Sequence, residues 1–211
     1  MALTSIEIVL AALDDGRLVA NMHDVKGQLR ACASAGSWKD PDGHVLRAAP
    51  ELIDLLAGLL EPPNRMTIMS LFRFKSPHGK VQPDGTGLGR AVDIMAYAGI
   101  PIHLKLTSNV QNAIAGVTAV LRNLPAGKYT LGLPRPGGGA LIDPAHDVFF
   151  SVTDHAQVTK SPGKGVFQKD IELVLEPARA AMKEALGGNP TARIQYMYPD
   201  GVDHLHVEAL A

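Results

Sequence analysis

Hydrophobic residues recur along this chain with two spacings, one typical of helices and one typical of strands. The helical spacing predicts a helix that begins at Pro50 and is ended by Pro62-Pro63, and a second helix over 109–124. Four shorter apolar segments have the composition of strands: 67–74, 90–97, 192–198 and 204–210. The chain therefore combines helices with strands rather than using one of them alone.

Turn residues divide the rest of the chain. Apolar runs on both sides of Asp14-Asp15-Gly16 predict a hairpin over 5–20, and 23–35 is predicted to be helical. Three segments rich in Gly, Pro or Asp are predicted to be loops: 37–43, 76–89 and 124–144. The last of these is long enough to be a flap over a site.

The C-terminal part is predicted to contain one helix and two strands. The helix ends at Leu186 and begins either near Asp170 or at Pro177. The turn sequence Pro199-Asp200-Gly201 then predicts a hairpin that joins the last two strands. The order of all these elements indicates an α+β fold in which an antiparallel sheet carries helices on one face.

Length and composition fit a folded protein with a modest extension. The chain has 211 residues, of which 46% are hydrophobic, enough for a packed core. We expect residues 1–64 to form an N-terminal extension of helix and hairpin that packs on the core. Residues 65–211 are expected to form the core and to carry the site.

The charge balance and the single cysteine exclude some classes of partner. Lys and Arg number 20 against 21 Asp and Glu, without a basic stripe, which argues against nucleic acid as the main partner. Cys32 cannot form an internal disulfide and is predicted to be a packed thiol. No apolar stretch approaches the ~20 residues that span a bilayer, so no membrane span is expected.

The first residues lack the features of a signal peptide. No basic region precedes the apolar run, which Glu7 and Asp14 interrupt. The chain is therefore expected to be made in the cytoplasm. A substrate outside the inner membrane would require another route of delivery, such as phage lysis or a contractile secretion device.

The last predicted strand carries the first candidate for chemistry. His204 and His206 stand two residues apart, so on a strand their side chains point the same way. Two imidazoles on one face can bind a metal ion together, or one can bind the metal while the other serves the reaction. The alternative is an exposed polar face on an edge strand.

Two further candidates lie near the middle of the chain. Asp93 stands alone inside an apolar strand, where a carboxylate must be paired, hydrogen-bonded or bound to a metal. His78 follows a predicted strand that contains Arg73, and a histidine at a strand end could be a metal ligand. A salt bridge for Asp93 and an ordinary loop position for His78 are the alternatives.

Taken together, these motifs resemble one known family. They are, in chain order, Arg73, Ser76-Pro77-His78, Gly89-Arg90-Ala91-Val92-Asp93 and Asp203-His204-Leu205-His206. The order is similar to that of the zinc D-Ala-D-Ala carboxypeptidases and dipeptidases. That family is related to the penicillin-insensitive murein endopeptidases and has the Hedgehog/DD-peptidase fold. The resemblance covers residues 65–95 and 192–208.

The resemblance implies a catalytic zinc ion held by His78, Asp93 and His206, with a fourth position open to water. It implies a metallopeptidase of the D,D-carboxypeptidase or endopeptidase type, which hydrolyses peptide bonds in the stem peptides or cross-bridges of peptidoglycan. Arg73 matches the family arginine that holds a substrate carboxylate or stabilises developing negative charge.

Two more residues are predicted to contact the substrate. Ser76 belongs to the same motif as His78, and Tyr196 lies on the strand before the paired histidines. Tyr196 shares a face with Tyr198, which fits core packing as well as the wall of a cleft.

Two residues compete for the role of the general base that moves a proton from water to the leaving amine. Many family members have an acid three residues before the last ligand, where this chain has Asp203. Endopeptidase members have a histidine two residues before it, where this chain has His204. Strand alternation favours His204, but we assign the base to Asp203 and let His204 orient water or the oxyanion.

The chain departs from the family in one spacing. The family has fewer residues between its first histidine ligand and its aspartate, and its histidine position corresponds to Thr86 in this chain. The segment from Gly79 to Gly87 is therefore expected to be an inserted loop that lets His78 reach the metal. If it is not, the alternative is a binding module on the same fold without catalysis. The expected lack of a signal peptide motivates a third possibility, a zinc amide hydrolase of the same fold that acts on a peptide outside the cell wall.

Overall fold

The protein is an α+β protein, as the sequence predicts. A computed structural model describes residues 3–20, 24–71, 79–102, 110–134, 149–150, 171, 174–201 and 203–211. Within these residues the chain forms five helices and two mixed sheets. None of the helices in the described ranges has the length and apolar composition needed to cross a bilayer.

The helices begin and end at residues that favour those positions. They are α1 (Ser5–Asp14), α2 (Val25–Ala35), α3 (Pro50–Leu59), α4 (Val110–Asn123) and α5 (Ala178–Gly187). Pro50 starts α3 because its fixed φ suits the first helical turn. Gly36 ends α2 in the left-handed conformation, with a φ of 71°. The predicted helices over 23–35 and 109–124 are confirmed, and α5 begins after Pro177 rather than near Asp170.

The strands fall into two groups by sheet. The larger sheet contains β1 (Leu18–Ala20), β4 (Met66–Ser70), β7 (Ala91–Tyr97), β8 (Ile100–Pro101), β9 (Gly127–Leu133), β10 (Ala192–Pro199) and β11 (Leu205–Leu210). The smaller sheet contains β2 (Trp38–Lys39), β3 (Val45–Ala48), β5 (Gly79–Val81) and β6 (Gly87–Gly89). In the described residues the larger sheet has the order β1-β4-β7-β11-β9-β10, with β8 paired to β7, and the smaller has the order β2-β3-β6-β5.

The prediction of an antiparallel sheet is correct only for the centre of the larger sheet. The pairs β4–β7, β7–β11 and β11–β9 are antiparallel, whereas β1–β4 and β9–β10 are parallel. A parallel pair needs a long crossover connection, which α2 and α3 supply between β1 and β4. The sequence analysis placed β1 in a hairpin with the segment before it and assigned β9 to a loop, so it could not predict the parallel pairs.

Two predicted hairpins are wrong. The segment 5–20 forms α1 followed by β1, because Thr4 and Glu7 make a capping box that starts a helix there. The turn at 199–201 does not join a hairpin, since β10 and β11 both pair with β9, which lies between them.

Two predicted loops contain strands. The segment 124–144 includes β9, and the segment 76–89 includes β5 and β6. Glycines hid these strands: Gly127 and Gly132 stand in β9, and Gly87 and Gly89 in β6. Glycine weakens the strand signal of a sequence, although it is tolerated where another group approaches the backbone closely.

One hydrophobic cluster joins the helices to the larger sheet. It contains Val9 of α1, Leu55 of α3, Val117 of α4, Val92 of β7 and Val207 of β11, all fully buried. Helix α3 contacts β11, and α4 contacts β7. Side chains from both the predicted extension, 1–64, and the predicted core, 65–211, belong to this cluster. The division of the chain into these two parts stays a prediction.

Candidate functional site

A row of five paired residues crosses the larger sheet. Each residue lies on a different strand, and the hydrogen-bond register pairs neighbours in the order Ser70, Asp93, His206, Gly132 and Tyr198. Directly paired residues on adjacent strands project from the same face of a sheet. The row therefore collects polar groups from four distant parts of the chain on one face.

Alternation along the strands explains why Asp93 and His206 face away from the hydrophobic cluster. Val92 and Ile94 flank Asp93 and are both fully buried in that cluster. Successive side chains of a strand point to opposite faces, so Asp93 points away from the helices that cover Val92 and Ile94. Leu205 and Val207 give His206 the same orientation on β11.

Asp93 and His206 form a buried pair. His206 Nδ1 lies 3.0 Å from Asp93 Oδ1, and each residue has only 1% of its surface exposed. Ser70 Oγ donates a hydrogen bond of 2.6 Å to the other carboxylate oxygen, Asp93 Oδ2. A buried carboxylate is costly without partners, and here both oxygens have one.

Ser70 is not positioned as the nucleophile of a pair with His206. Strand β7 lies between β4 and β11, so Asp93 separates Ser70 from His206. A serine nucleophile must instead lie within hydrogen-bond reach of the imidazole that takes its proton. The arrangement thus fits a supporting role for Ser70 next to the carboxylate.

His204 lies against three carboxylates just before β11 begins. Its Nδ1 lies 2.6 Å from Oδ1 of Asp203. Its Nε2 lies 3.4 Å from Asp93 Oδ1 and 3.9 Å from Asp200 Oδ2. Because β11 starts at Leu205, strand alternation does not govern Asp203, whose side chain turns toward the His204 ring.

Tyr198 closes the other end of the row. The centres of its ring and the His206 ring lie 6.1 Å apart. Burial raises the pKa of the Tyr198 phenol, and the nearby charges of Asp200 and Glu208 add to this effect. Gly132 makes the arrangement possible, because a Cβ there would lie 2.4 Å from Asp200 Oδ2 and 2.9 Å from His206 Cβ.

The spacing of Asp93 and His206 suits two ligands of one zinc ion. Zinc binds nitrogen and oxygen donors at about 2.0–2.2 Å in a tetrahedron, which puts neighbouring donors about 3.4 Å apart. The 3.0 Å between Asp93 Oδ1 and His206 Nδ1 is close to that separation. His206 and Asp93 can therefore hold part of a zinc site.

The described residues of the row do not complete a zinc site by themselves. Across the part of the chain that the structure describes, only Asp40, Asp42 and His44 bring three potential ligand atoms within 4.8 Å of one another. Asp93, His204 and His206 do not form such a set, although both imidazoles lie near the same carboxylate oxygen, Asp93 Oδ1. A zinc ion on Asp93 and His206 needs a further protein ligand.

The cluster of Asp40, Asp42 and His44 has a structural explanation. Asp40 accepts a hydrogen bond of 2.8 Å from the backbone N–H of His44, and its other oxygen lies 2.9 Å from His44 Nδ1. These contacts close the turn between β2 and β3 and lower the pKa of Asp40, against the opposing effect of burial. The cluster is partly exposed and lies outside the row.

Three predicted site residues lie outside the described residues. Arg73, Ser76 and His78 belong to the segment 72–78, which follows Leu71 at the end of β4. Their predicted roles as zinc ligand and substrate contacts stay predictions. Of the other predicted residues, Asp93, Asp203, His204 and His206 lie together, and Tyr196 pairs with Thr130, two residues along β10 from Tyr198.

The sequence analysis missed three residues of this site. Asp200 was assigned to a turn, Gly132 to a loop, and Ser70 to a strand without a role. Their importance comes from pairing between distant strands, of which the sequence pattern gave no signal. The alternation around Asp93 and His206, in contrast, was visible in the sequence.

Comparisons with known proteins give no match. No protein-family model matches the chain, and no curated protein or solved structure matches it significantly. The resemblance to zinc peptidases therefore depends on the four motifs and their order.

Proposed function

We propose that this chain is a zinc-dependent peptidase that hydrolyses peptide bonds in the stem peptides or cross-bridges of peptidoglycan. It would be of the D,D-carboxypeptidase or endopeptidase type, on a Hedgehog/DD-peptidase-like fold with helices on one face of the sheet. The zinc ligands would be His78, Asp93 and His206. The observation that carries this proposal is the buried Asp93–His206 pair, aligned across β7 and β11 with 3.0 Å between its donor atoms.

The pair is in direct contact at hydrogen-bond distance, and the same two groups have the chemistry of zinc ligands. When bound, zinc would supply a Lewis acid and an acidified water. Asp93 would contribute the negative charge that offsets the ion, and His206 a neutral imidazole. Two strands hold both groups in register, so little chain entropy would be lost when they bind the ion together.

Proton transfer would fall to His204, with Asp203 as its orienting group. A proton on Nδ1 of His204, donated to Asp203 Oδ1 across the 2.6 Å contact, would leave the lone pair of Nε2 as the acceptor. That nitrogen faces Asp93, so it would lie beside the reacting groups. This reverses the roles that the motif alone suggested for the two residues.

Substitution of His206 tests the proposal most directly. We expect about one zinc ion per chain in the purified wild-type protein, and loss of both zinc and peptidoglycan hydrolysis in His206→Ala. Metal content is measured by elemental analysis, and hydrolysis by mass spectrometry of fragments released from purified peptidoglycan. His44→Ala is the matched control, since it removes an imidazole from the other cluster and should change neither result.

Full hydrolysis by a metal-free His206→Ala protein would overturn the proposal. Zinc binding without any release from peptidoglycan would favour a zinc amide hydrolase with a different peptide substrate. These outcomes are separable because metal content and fragment release are measured on the same preparation.

A second candidate function is a binding module that has lost catalysis. The observation that favours it is the long segment between His78 and Asp93, with Thr86 at the usual place of the first ligand. A protein that binds purified peptidoglycan in a pull-down, yet contains no zinc and releases no fragment, would support this candidate.

A further inference from the structure

Resting on the proposed zinc site, we infer that Ser70 is a positioning residue that sets the orientation of the Asp93 carboxylate for metal binding. Its hydroxyl donates to Asp93 Oδ2 at 2.6 Å, a distance typical of a strong hydrogen bond to a charged carboxylate. The other oxygen, Oδ1, faces His206 Nδ1 and His204 Nε2. Ser70 therefore holds one oxygen so that the other one points to the two imidazoles.

The backbone of β4 places the Ser70 hydroxyl next to the Asp93 carboxylate. Ser70 is the last residue of the strand and pairs with Asp93, and the register shifts between Ile68 and Ser70. Such irregularities re-aim a side chain and are common next to functional sites. Ser70 is 1% exposed, so water cannot replace its hydroxyl as the donor to Asp93 without a change in packing.

A carboxylate that binds a metal ion must be held in one orientation. Loss of the hydrogen bond to Oδ2 would weaken the hold on the carboxylate, and rotation of the carboxylate would move Oδ1 away from the ion that it shares with His206. Outer hydrogen bonds to metal ligands are typically worth a factor of about 10–100 in metal affinity. The same loss is expected when the Ser70 hydroxyl is removed.

The test compares zinc affinity in three variants. Zinc dissociation constants are measured by competition with a chromophoric chelator, and melting temperatures are measured on the metal-free proteins. Ser70→Ala should weaken zinc binding by a factor of about 10–100, and Ser70→Thr, which keeps the hydroxyl, should bind zinc more tightly than Ser70→Ala. Thr118→Val is the control, because it removes a buried hydroxyl that bonds within α4, at Ile114 O.

The outcomes separate this inference from the proposed function. Wild-type zinc binding with an unchanged affinity in Ser70→Ala would overturn the inference and leave the zinc site intact. A lower melting temperature of Ser70→Ala at unchanged zinc affinity would mean that the hydroxyl only stabilises the fold. A wild-type protein that binds no zinc would overturn the proposed function and this inference with it.

Discussion

His204 is the residue whose chemistry depends most on one neighbour. The carboxylate of Asp203 lies 2.6 Å from its Nδ1 and orients the ring. In such an arrangement, one group exchanges the proton and a second group orients the first. Under the proposed function the two adjacent residues therefore have unequal roles, although the motif treats them as alternatives.

We expect His204→Ala to lower kcat by a factor of about 10²–10⁴ while zinc content stays at the wild-type value, since this variant removes the proton acceptor. Asp203→Ala should lower kcat by a smaller factor, because the imidazole is still present but less well oriented. Steady-state kinetics on a defined stem peptide, with elemental analysis of each preparation, checks both. A loss in Asp203→Ala as large as that in His204→Ala would make Asp203 the base.

At the scale of residues, the sequence predicts polar residues that interrupt an apolar strand. It does not predict residues whose role depends on contacts between distant parts of the chain. Asp93 was predicted because a lone acid in an apolar strand needs a partner. Ser70 could not be predicted, because its role depends on the pairing of β4 with β7 and on a register shift. Asp200 was predicted as a turn residue, and its contact with His204 depends on the turn that follows β10.

At the scale of elements, the sequence predicted the strands that have a continuous apolar run and missed a strand that is interrupted by glycine. Strands β4, β7, β10 and β11 have apolar runs that show their length and type in the sequence. Strand β9 includes Gly127 and Gly132 and was missed, yet it pairs with both β10 and β11. Without it, the two final strands seemed to be neighbours. Missing this one strand therefore made the predicted topology of the C-terminal part wrong.

Asn189 joins two elements that are far apart in sequence. Its side-chain amide donates to the carbonyl oxygens of Leu121 and Leu124, both at 2.9 Å, at the C-terminal end of α4. These carbonyls have no partner within the helix, because the last turn of any helix leaves its acceptors free. Asn189 lies two residues after the end of α5, so its side chain links the ends of α4 and α5.

Asn189→Ala should lower the free energy of unfolding by about 1–3 kcal/mol, because two buried acceptors lose their donor. Asn189→Asp should lower it at least as much, since a carboxylate cannot donate to a carbonyl. Urea unfolding followed by circular dichroism measures both. Asn123→Ala removes an exposed amide on α4 and should change stability by less than about 0.5 kcal/mol. Equal stability of Asn189→Ala and wild type would contradict the capping role.

At the scale of the whole molecule, one core links the N-terminal helices to the sheet that carries the site. Strand β1 pairs with β4, whose last residue is Ser70, so the first part of the chain supports the strand next to Asp93. Three tyrosines have shielded phenols: Tyr97 and Tyr129 are buried, and Tyr198 is half-buried. Burial raises the pKa of each phenol, which couples the stability of the protein to alkaline pH.

The sign of this coupling follows from Tyr129. Burial, together with the charge of Asp54, raises its pKa from 10.0 to about 12, and its hydroxyl donates to Pro125 O at 2.8 Å. Between these two pH values the folded state holds a proton that the unfolded state has lost. The stability that depends on the neutral phenol is therefore complete below pH 10 and falls as the pH rises toward about 12.

We expect the free energy of unfolding of the wild-type protein to decrease steadily with pH in this window. Tyr129→Phe should be less stable at neutral pH, because it loses the hydrogen bond to Pro125, but its decrease above pH 10 should be shallower, since phenylalanine has no proton to lose. Urea unfolding at a series of pH values gives both slopes. Identical slopes would mean that Tyr129 ionises in the folded state as easily as in the unfolded chain. The phenol would then not be shielded by the packing between Pro125 and Asp54.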